Sequence, residues 1–241
     1  MQTSRRYSRD MQFHEPLTPA TLVRRYKRFL ADMQFDDGRI ETVHCPNPGV
    51  MLGLTEPGRR AWLKRGKGKL NWGWVIAEAE NGSLVGVDTG LANRLAAEAL
   101  AQGVMPELSG YSLHRPEVKY GTSSRVDFLL TAEGKAPCYL EIKNVHLSRQ
   151  PPLAEFPDCV TERGAKHLRE LSAMVAAGHR AAMLYVVQRA DCSHFSIAAD
   201  CDPGYAAGFI EARNVGVEAL CYACSVTEAG IAIARRLPID P

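Results

Sequence analysis

The sequence predicts an α/β chain of the α+β kind: a small N-terminal β-barrel followed by a mixed sheet with helices on its faces. Up to about Val87, short apolar runs alternate with turn signals, which is the punctuation of a small barrel. From Thr89 the apolar period becomes helical, and three strand candidates at hairpin spacing, a second helix and a further strand follow. With 241 residues, 46% of them hydrophobic, the chain can bury one good-sized core and a smaller one, so two packed units are expected.

Residues 1–12 are polar and basic without periodicity and read as a flexible tail, whose Arg5, Arg6 and Arg9 could touch a polyanion. Residues 13–87 form the barrel unit. Asp36-Asp37-Gly38 marks a hairpin, and Pro46-Asn47-Pro48-Gly49, Glu56-Pro57-Gly58 and Asn81-Gly82 break the rest into about five short strands. The unit 88–241 opens with a helix over 89–100, then strands over 117–120, 125–130 and 138–145, the first pair joined through Gly121-Thr122-Ser123. A Pro-rich loop over 150–157 leads to a helix from about Val160 to Ala177, stopped by Gly178. A buried strand over 182–187, a helix over 203–213 and a last strand over 217–226 complete an αβββαβ order with an extra helix and strand.

No run approaches the roughly 18 apolar residues that span a bilayer, and the N-terminus lacks the apolar stretch of a secretion signal, so a cytoplasmic protein without a membrane partner is expected. The seven cysteines are odd in number and scattered, which argues against a disulfide framework. Cys221-x-x-Cys224 matches half of a zinc site, yet it has no second pair and lies in a strand-like run. Charge is uneven: residues 1–80 carry 14 lysines and arginines against 9 acids, and the remainder carries 15 against 18. In the basic part, Arg24, Arg25, Lys27 and Arg28 surround Tyr26 and Phe29, and Lys64 and Arg65 follow Trp62, with Trp72 and Trp74 beyond. Cations for phosphates interleaved with rings for bases suit nucleic acid; the alternative is a barrel core of aromatic residues with a wet charged face.

Leu91, Leu95 and Ala99 share a helix face at 100° per residue, which puts Glu98 within the stripe. A buried carboxylate needs a cation or a metal, unless Glu98 sits at the stripe's edge and reaches solvent. On strand 138–145, Glu141 and Lys143 point one way and Ile142 the other; on strand 125–130, Asp127 projects opposite Val126, Phe128 and Leu130. Charged side chains facing inward from apolar strands suit magnesium or manganese, with Asp127, Glu141 and Glu98 plus the Ile142 carbonyl as ligands. Lys143 beside the metal would position the attacking water for phosphodiester hydrolysis. The alternative is a buried ion-pair cluster with no turnover. Arg163 and Lys166, near the start of the second long helix, could hold a phosphate, while His167 on its buried face reads as a core histidine.

At these residues the chain resembles the sugar fermentation stimulation protein A family of bacteria. The likeness rests on runs such as Leu22-Val23-Arg24-Arg25-Tyr26-Lys27-Arg28-Phe29-Leu30, Ala92-Asn93-Arg94-Leu95, Glu117-Val118-Lys119-Tyr120-Gly121, Glu141-Ile142-Lys143 and Thr161-Glu162-Arg163-Gly164-x-Lys166-His167-Leu168. It implies an oligonucleotide-binding-type barrel, a domain similar to PD-(D/E)xK nucleases, DNA binding to single or double strands, and a role in regulating sugar (maltose) metabolism. By position, Asp127, Glu141 and Lys143 match the nuclease motif, with Val126 where the motif carries proline. Two functions stand: a metal-dependent deoxyribonuclease, and a DNA-binding regulator without turnover. Either is compatible with a homo-oligomer.

Overall fold

In the computed structural model the described residues are 11–121 and 124–240. Arg5, Arg6 and Arg9 of the expected tail lie outside them, as do Thr122 and Ser123 of the expected connection. The end of that tail is not loose: Met11 and Gln12 form strand β1 (Met11–Gln12), paired antiparallel with Ile231 and Gly230. A sheet edge offers unpaired backbone groups, and even two residues suffice to take them up.

Five strands close the barrel: β2 (Thr18–Tyr26), β3 (Leu30–Phe35), β4 (Ile40–His44), β5 (Arg60–Arg65) and β6 (Trp72–Glu78). They hydrogen-bond in the order β4-β3-β2-β5-β6, and a parallel bridge from His44 to Gly73 joins the two ends. Inward alternation along β2 buries Ala20 and Leu22 against Met33, Val43, Leu63 and Trp74. Gly38, at φ 86°, supplies the left-handed residue of the expected β3–β4 hairpin. The β2–β3 turn is made less conventionally by Lys27 and Arg28, at φ 49° and 61°. β7 (Leu84–Gly86) extends the sheet from β6.

Helix α1 (Leu91–Gln102) follows, ended by Gly103 at φ 68°. Then come β8 (Leu113–Tyr120), β9 (Ser124–Thr131), β10 (Cys138–Val145), β11 (Leu153–Phe156), α2 (Glu162–Ala176), β12 (Arg180–Val187), β13 (His194–Ile197), α3 (Pro203–Asn214), β14 (Glu218–Thr227) and β15 (Gly230–Arg236). The seven-stranded sheet runs β1-β15-β14-β12-β10-β9-β8, with β10, β12 and β14 parallel and the flanking pairs antiparallel. α1 covers one face with Leu91, Leu95 and Ala99 against Leu140, Ile142 and Leu184. α2 and α3 cover the other, with Leu168, Leu171 and Phe209 against Met183 and Tyr185.

Three features differ from expectation. β14 is not the last strand, because β15 folds back on it through a turn at Glu228-Ala229. The Pro-rich loop holds β11, which pairs in parallel with β13; both are four-residue strands, too short to show a period. Helix α2 begins at Glu162, because the Thr161 side chain accepts the Gly164 N–H and caps it, which leaves Val160 before the helix and 69% exposed.

The two units share packing. Trp62, Val75 and Ile76 of the barrel join Leu91 and Leu95 in one apolar cluster. The Asp158 carboxylate accepts the Met51 N–H at 3.1 Å, and Gln188 O accepts the Gly86 N–H at 2.9 Å.

Candidate functional site

The β9–β10 ladder runs from Leu130↔Cys138 to Phe128↔Leu140. One residue further, Asp127 substitutes a side chain for the backbone partner: Oδ2 accepts the Ile142 N–H at 2.7 Å, and Oδ1 accepts Asn93 Nδ2 of α1 at 2.7 Å. Glu141, the residue opposite, is only 2% exposed. Its Oε1 meets Lys143 Nζ at 2.9 Å and is also in contact with His167 Nδ1. Arg163 Nε approaches His167 Nε2 at 3.4 Å and Lys143 Nζ stands 3.2 Å from Nδ1, so the imidazole is held between two cations and the Glu141 carboxylate. As expected from strand alternation, Glu141 and Lys143 face α2 while Ile142 packs toward α1.

Two further groups enter the site. Glu170 of α2 is buried with both carboxylate oxygens lacking a hydrogen bond, its nearest charge being Lys166 at 3.7 Å. Gly121, at φ 57°, leaves room for it: a Cβ there would stand 2.8 Å from Glu170 Oε1. Tyr120 is also buried with an unpartnered hydroxyl. Its pKa is raised by burial and then by the charges of Glu141, Glu170 and Asp127, which places one phenol before three carboxylates.

Burial, then the Glu141 charge, pushes the Asp127 carboxyl above the usual range. Burial pushes Glu141 upward as well, but its hydrogen bond to His167 and the charge of Lys143 outweigh that and hold it low. Glu141 Oε2, deeply buried, has no hydrogen-bond partner. A low-lying carboxylate with a free buried oxygen, beside a second carboxylate that it destabilises, is a donor set that suits a hard divalent cation. Among the described residues no three His, Cys, Asp or Glu side chains gather at metal-binding spacing, so a cation here would complete its shell with water, phosphate oxygens or backbone carbonyls.

Glu98 does not join this group. The buried stripe of α1 is Leu91, Ala92, Leu95, Ala96, Ala99 and Leu100, which puts Glu98 at its edge, where burial raises its pKa and the Arg94 charge takes back only part of the rise. The helix residue that reaches Asp127 is Asn93, one and a half turns earlier. Asn93, Tyr120, His167 and Glu170 were missed as functional residues. The first three lie within the motifs that carried the family likeness, which was the available signal; Glu170 had none.

The basic residues separate into groups. Arg163 is exposed at the start of α2 and Lys166 is tied to Glu170. Arg24 is paired with Asp32 at 2.7 Å, and Arg25 is spent on the carbonyls of Asn47, Gly49 and Val50, whereas Lys27 and Arg28 are exposed at the hairpin tip. Lys64 Nζ binds Asp88 Oδ2 at 2.5 Å, and the Arg65 guanidinium lies 4.1 Å above the Trp72 ring. The register pairs Thr18 with Leu63, so Lys64 and Arg65 lie by the start of β2 and residues 24–28 at its other end. One basic face is therefore two. Trp62 and Trp74 are buried, so these rings are core and not a stacking surface. Cys221 and Cys224, three apart on β14, point to opposite faces into separate cores, which rules them out as ligands of one zinc ion.

Residues 23–87 match the model described as SfsA N-terminal OB domain, and residues 90–230 match that described as Sugar fermentation stimulation protein RE domain. A sugar fermentation stimulation protein homolog of Jannaschia sp. (strain CCS1) is 53% identical over 235 residues, covering 96% of this chain and 98% of its own. One from Rhodospirillum centenum (strain ATCC 51521 / SW) is 56% identical over 233 residues, covering 95% and 100%. Among solved structures, SfsA of Pyrococcus furiosus in complex with Ca2+ superposes with a TM-score of 0.87 at 27% identity over 96% of this chain and 98% of that one. With the barrel and the mixed sheet matched in order and over nearly their full length, the chain belongs to the sugar fermentation stimulation protein family.

Proposed function

We propose that the chain is a DNA-binding protein with a divalent-cation-dependent phosphodiesterase site at Asp127, Glu141 and Lys143. The observation that carries this is the free, buried Oε2 of Glu141 beside Asp127 and Lys143. The SfsA structure solved with Ca2+ supports a divalent site in this fold. Asp127 and Glu141 would hold the cation, magnesium or manganese, which when bound lowers the pKa of a coordinated water and absorbs charge developing on phosphate. The protein's own groups do the rest. Asn93 and the Ile142 N–H fix the Asp127 carboxylate, and His167 fixes that of Glu141. Lys143, held by Glu141, is placed to donate to a non-bridging oxygen of the scissile phosphate. Exposed Arg163 gives the strand a phosphate contact beside the site. Water attacks phosphorus, and the bond from phosphorus to the leaving sugar oxygen breaks.

A second reading is a DNA-binding regulator of sugar metabolism without turnover. It is favoured by the closed network in which Lys143 and His167 both already engage Glu141. The deciding experiment incubates the protein with supercoiled, linear and single-stranded DNA plus magnesium or manganese, beside an Asp127→Ala, Lys143→Ala double variant. Cleavage by the wild type alone supports the phosphodiesterase. Equal cleavage by both would falsify the assigned site; DNA binding with no cleavage by either establishes the second reading.

A further inference from the structure

Where the barrel meets α1 there is a cavity of about 820 Å³, on the barrel's Lys64 end rather than at the hairpin of Lys27 and Arg28. Five cations line it: Lys64 and Arg65 from β5, Lys67 and Lys69 from the β5–β6 loop, and Arg94 from α1. Glu15 is the one carboxylate among the described residues of the lining. Lys64 is neutralised by Asp88, but Lys67 and Lys69 have no ion pair among the described residues and are exposed. Each is flanked by Gly66 or Gly68, and the loop they ride on is closed by a hydrogen bond from Gly66 N–H to Asn71 O at 2.7 Å.

The lining also carries apolar side chains. Phe13 and Leu17, both half-buried, stand with Leu91 and Trp72. Four or five positive charges beside apolar side chains do not suit a plain phosphate, which would leave the apolar surface uncovered, nor a duplex, whose bases stay stacked inside the helix and cannot meet that surface. They suit a ligand with a flat ring at one end and phosphate at the other, that is, a nucleotide.

The cavity also shares a helix with the site above. Arg94 faces the cavity while its neighbour Asn93 holds Asp127, and adjacent helix residues are about 1.5 Å apart along the axis and about 100° apart around it, so the two sites lie on adjoining sides of α1. We infer that this cavity binds one unpaired nucleotide, its base against Phe13 and Leu17 and its phosphate on Lys67, Lys69 and Arg94, so that the protein selects single-stranded or frayed DNA over intact duplex. The inference rests on the DNA-binding reading. It adds a selectivity that the Asp127 site alone does not impose, since the groups assigned to substrate there, Lys143 and Arg163, meet phosphate alone.

The test measures binding by anisotropy in EDTA, so that cleavage plays no part, using a labelled single strand and the matching duplex. It compares the wild type with a Lys67→Ala, Lys69→Ala, Arg94→Ala variant, with Phe13→Ala, and with Lys27→Ala, Arg28→Ala as the control on the other basic group; thermal melts establish that each is folded. The triple variant should lose single-strand affinity by at least about tenfold and, with one phosphate released, should lower the salt slope by roughly 0.7. Its duplex affinity should change less. Phe13→Ala should weaken single-strand binding with the salt slope unchanged.

Deoxyadenosine monophosphate and a short oligothymidine then compete for the labelled strand. Competition by the former assigns the cavity to a free nucleotide; competition by the latter alone assigns it to a nucleotide within a strand. Equal loss of single-strand and duplex affinity in the triple variant, or no loss with Phe13→Ala, overturns the cavity assignment while leaving DNA binding intact. A wild type that binds neither DNA overturns both.

Discussion

Asp127 Oδ2 accepts the backbone N–H of Ile142 at 2.7 Å, so a side chain from one strand completes the main-chain bonding of the next, one residue past the end of their ladder. The carboxylate is thereby fixed in two ways, by Ile142 and by Asn93, and its position belongs to the sheet and to α1 together. That double tether makes its chemistry separable from its structural role.

Asp127→Asn keeps an oxygen for the Ile142 N–H, and Asn93 can turn its amide to meet the new NH₂ group. The variant should fold, and any magnesium-dependent cleavage should fall by at least about 100-fold, because one anionic ligand is lost. A cleavage assay beside a thermal melt checks this; an active variant removes Asp127 from the chemistry.

In metal-free buffer the same variant should be the more stable protein at neutral pH, by a few degrees in Tm. Burial and the Glu141 charge raise the folded Asp127 pKa above its unfolded value. The favourable contribution of this group is therefore complete below the unfolded value, near 4, and is lost as pH rises through the folded value. Wild type and variant should converge on acidification. Added divalent cation should reverse the order at neutral pH by stabilising only the wild type, and melts across a pH series with EDTA or magnesium report both effects.

His167→Ala deprives the buried Glu141 carboxylate of a donor. The expected cost is about 1–3 kcal/mol of stability, with activity lowered about 10- to 100-fold. His167→Gln, which can still donate to Glu141, should recover part of both. Denaturant melts paired with cation titration by calorimetry separate the two effects; equal behaviour of the Ala and Gln variants would mean that the imidazole acts only by filling space.

Acid should loosen the contact between the barrel and the second unit. Burial pushes Asp191 upward, but its hydrogen bonds to Arg189 and Asn81 and the Arg189 charge outweigh this and leave it at about 2. Asp158 is held low in the same way, burial being outweighed by His146 and by the Met51 N–H. For groups held low, the stabilisation is present above the unfolded pKa near 4 and disappears as pH falls toward 2. The protection factor of the Met51 amide should fall through that window, whereas in Asp158→Asn, which has no carboxylate to titrate, it should be lowered already at neutral pH.

The sequence by itself determined the two units, the barrel's turns, the helix-to-strand order around the site and the facing of Glu141 and Lys143, because all of these follow from local periodicity and turn chemistry. It also placed Asp127 on the neighbouring strand. It did not determine which helix residue meets Asp127: Glu98 and Asn93 stand at opposite edges of the apolar stripe, about 140° apart in helix phase, and only the packing of Leu91, Leu95 and Ala99 on the sheet decided which edge turns toward Asp127. Nor could it show that Glu170 is buried, since the space it occupies exists because Gly121, 49 positions earlier, has no side chain. The four-residue β11 and β13 are strands only through each other, and the basic residues of the barrel divide into two groups only once its register is set. Periodicity is a property of neighbours along the chain. Which charge meets which oxygen is settled by elements that the chain brings together from far apart.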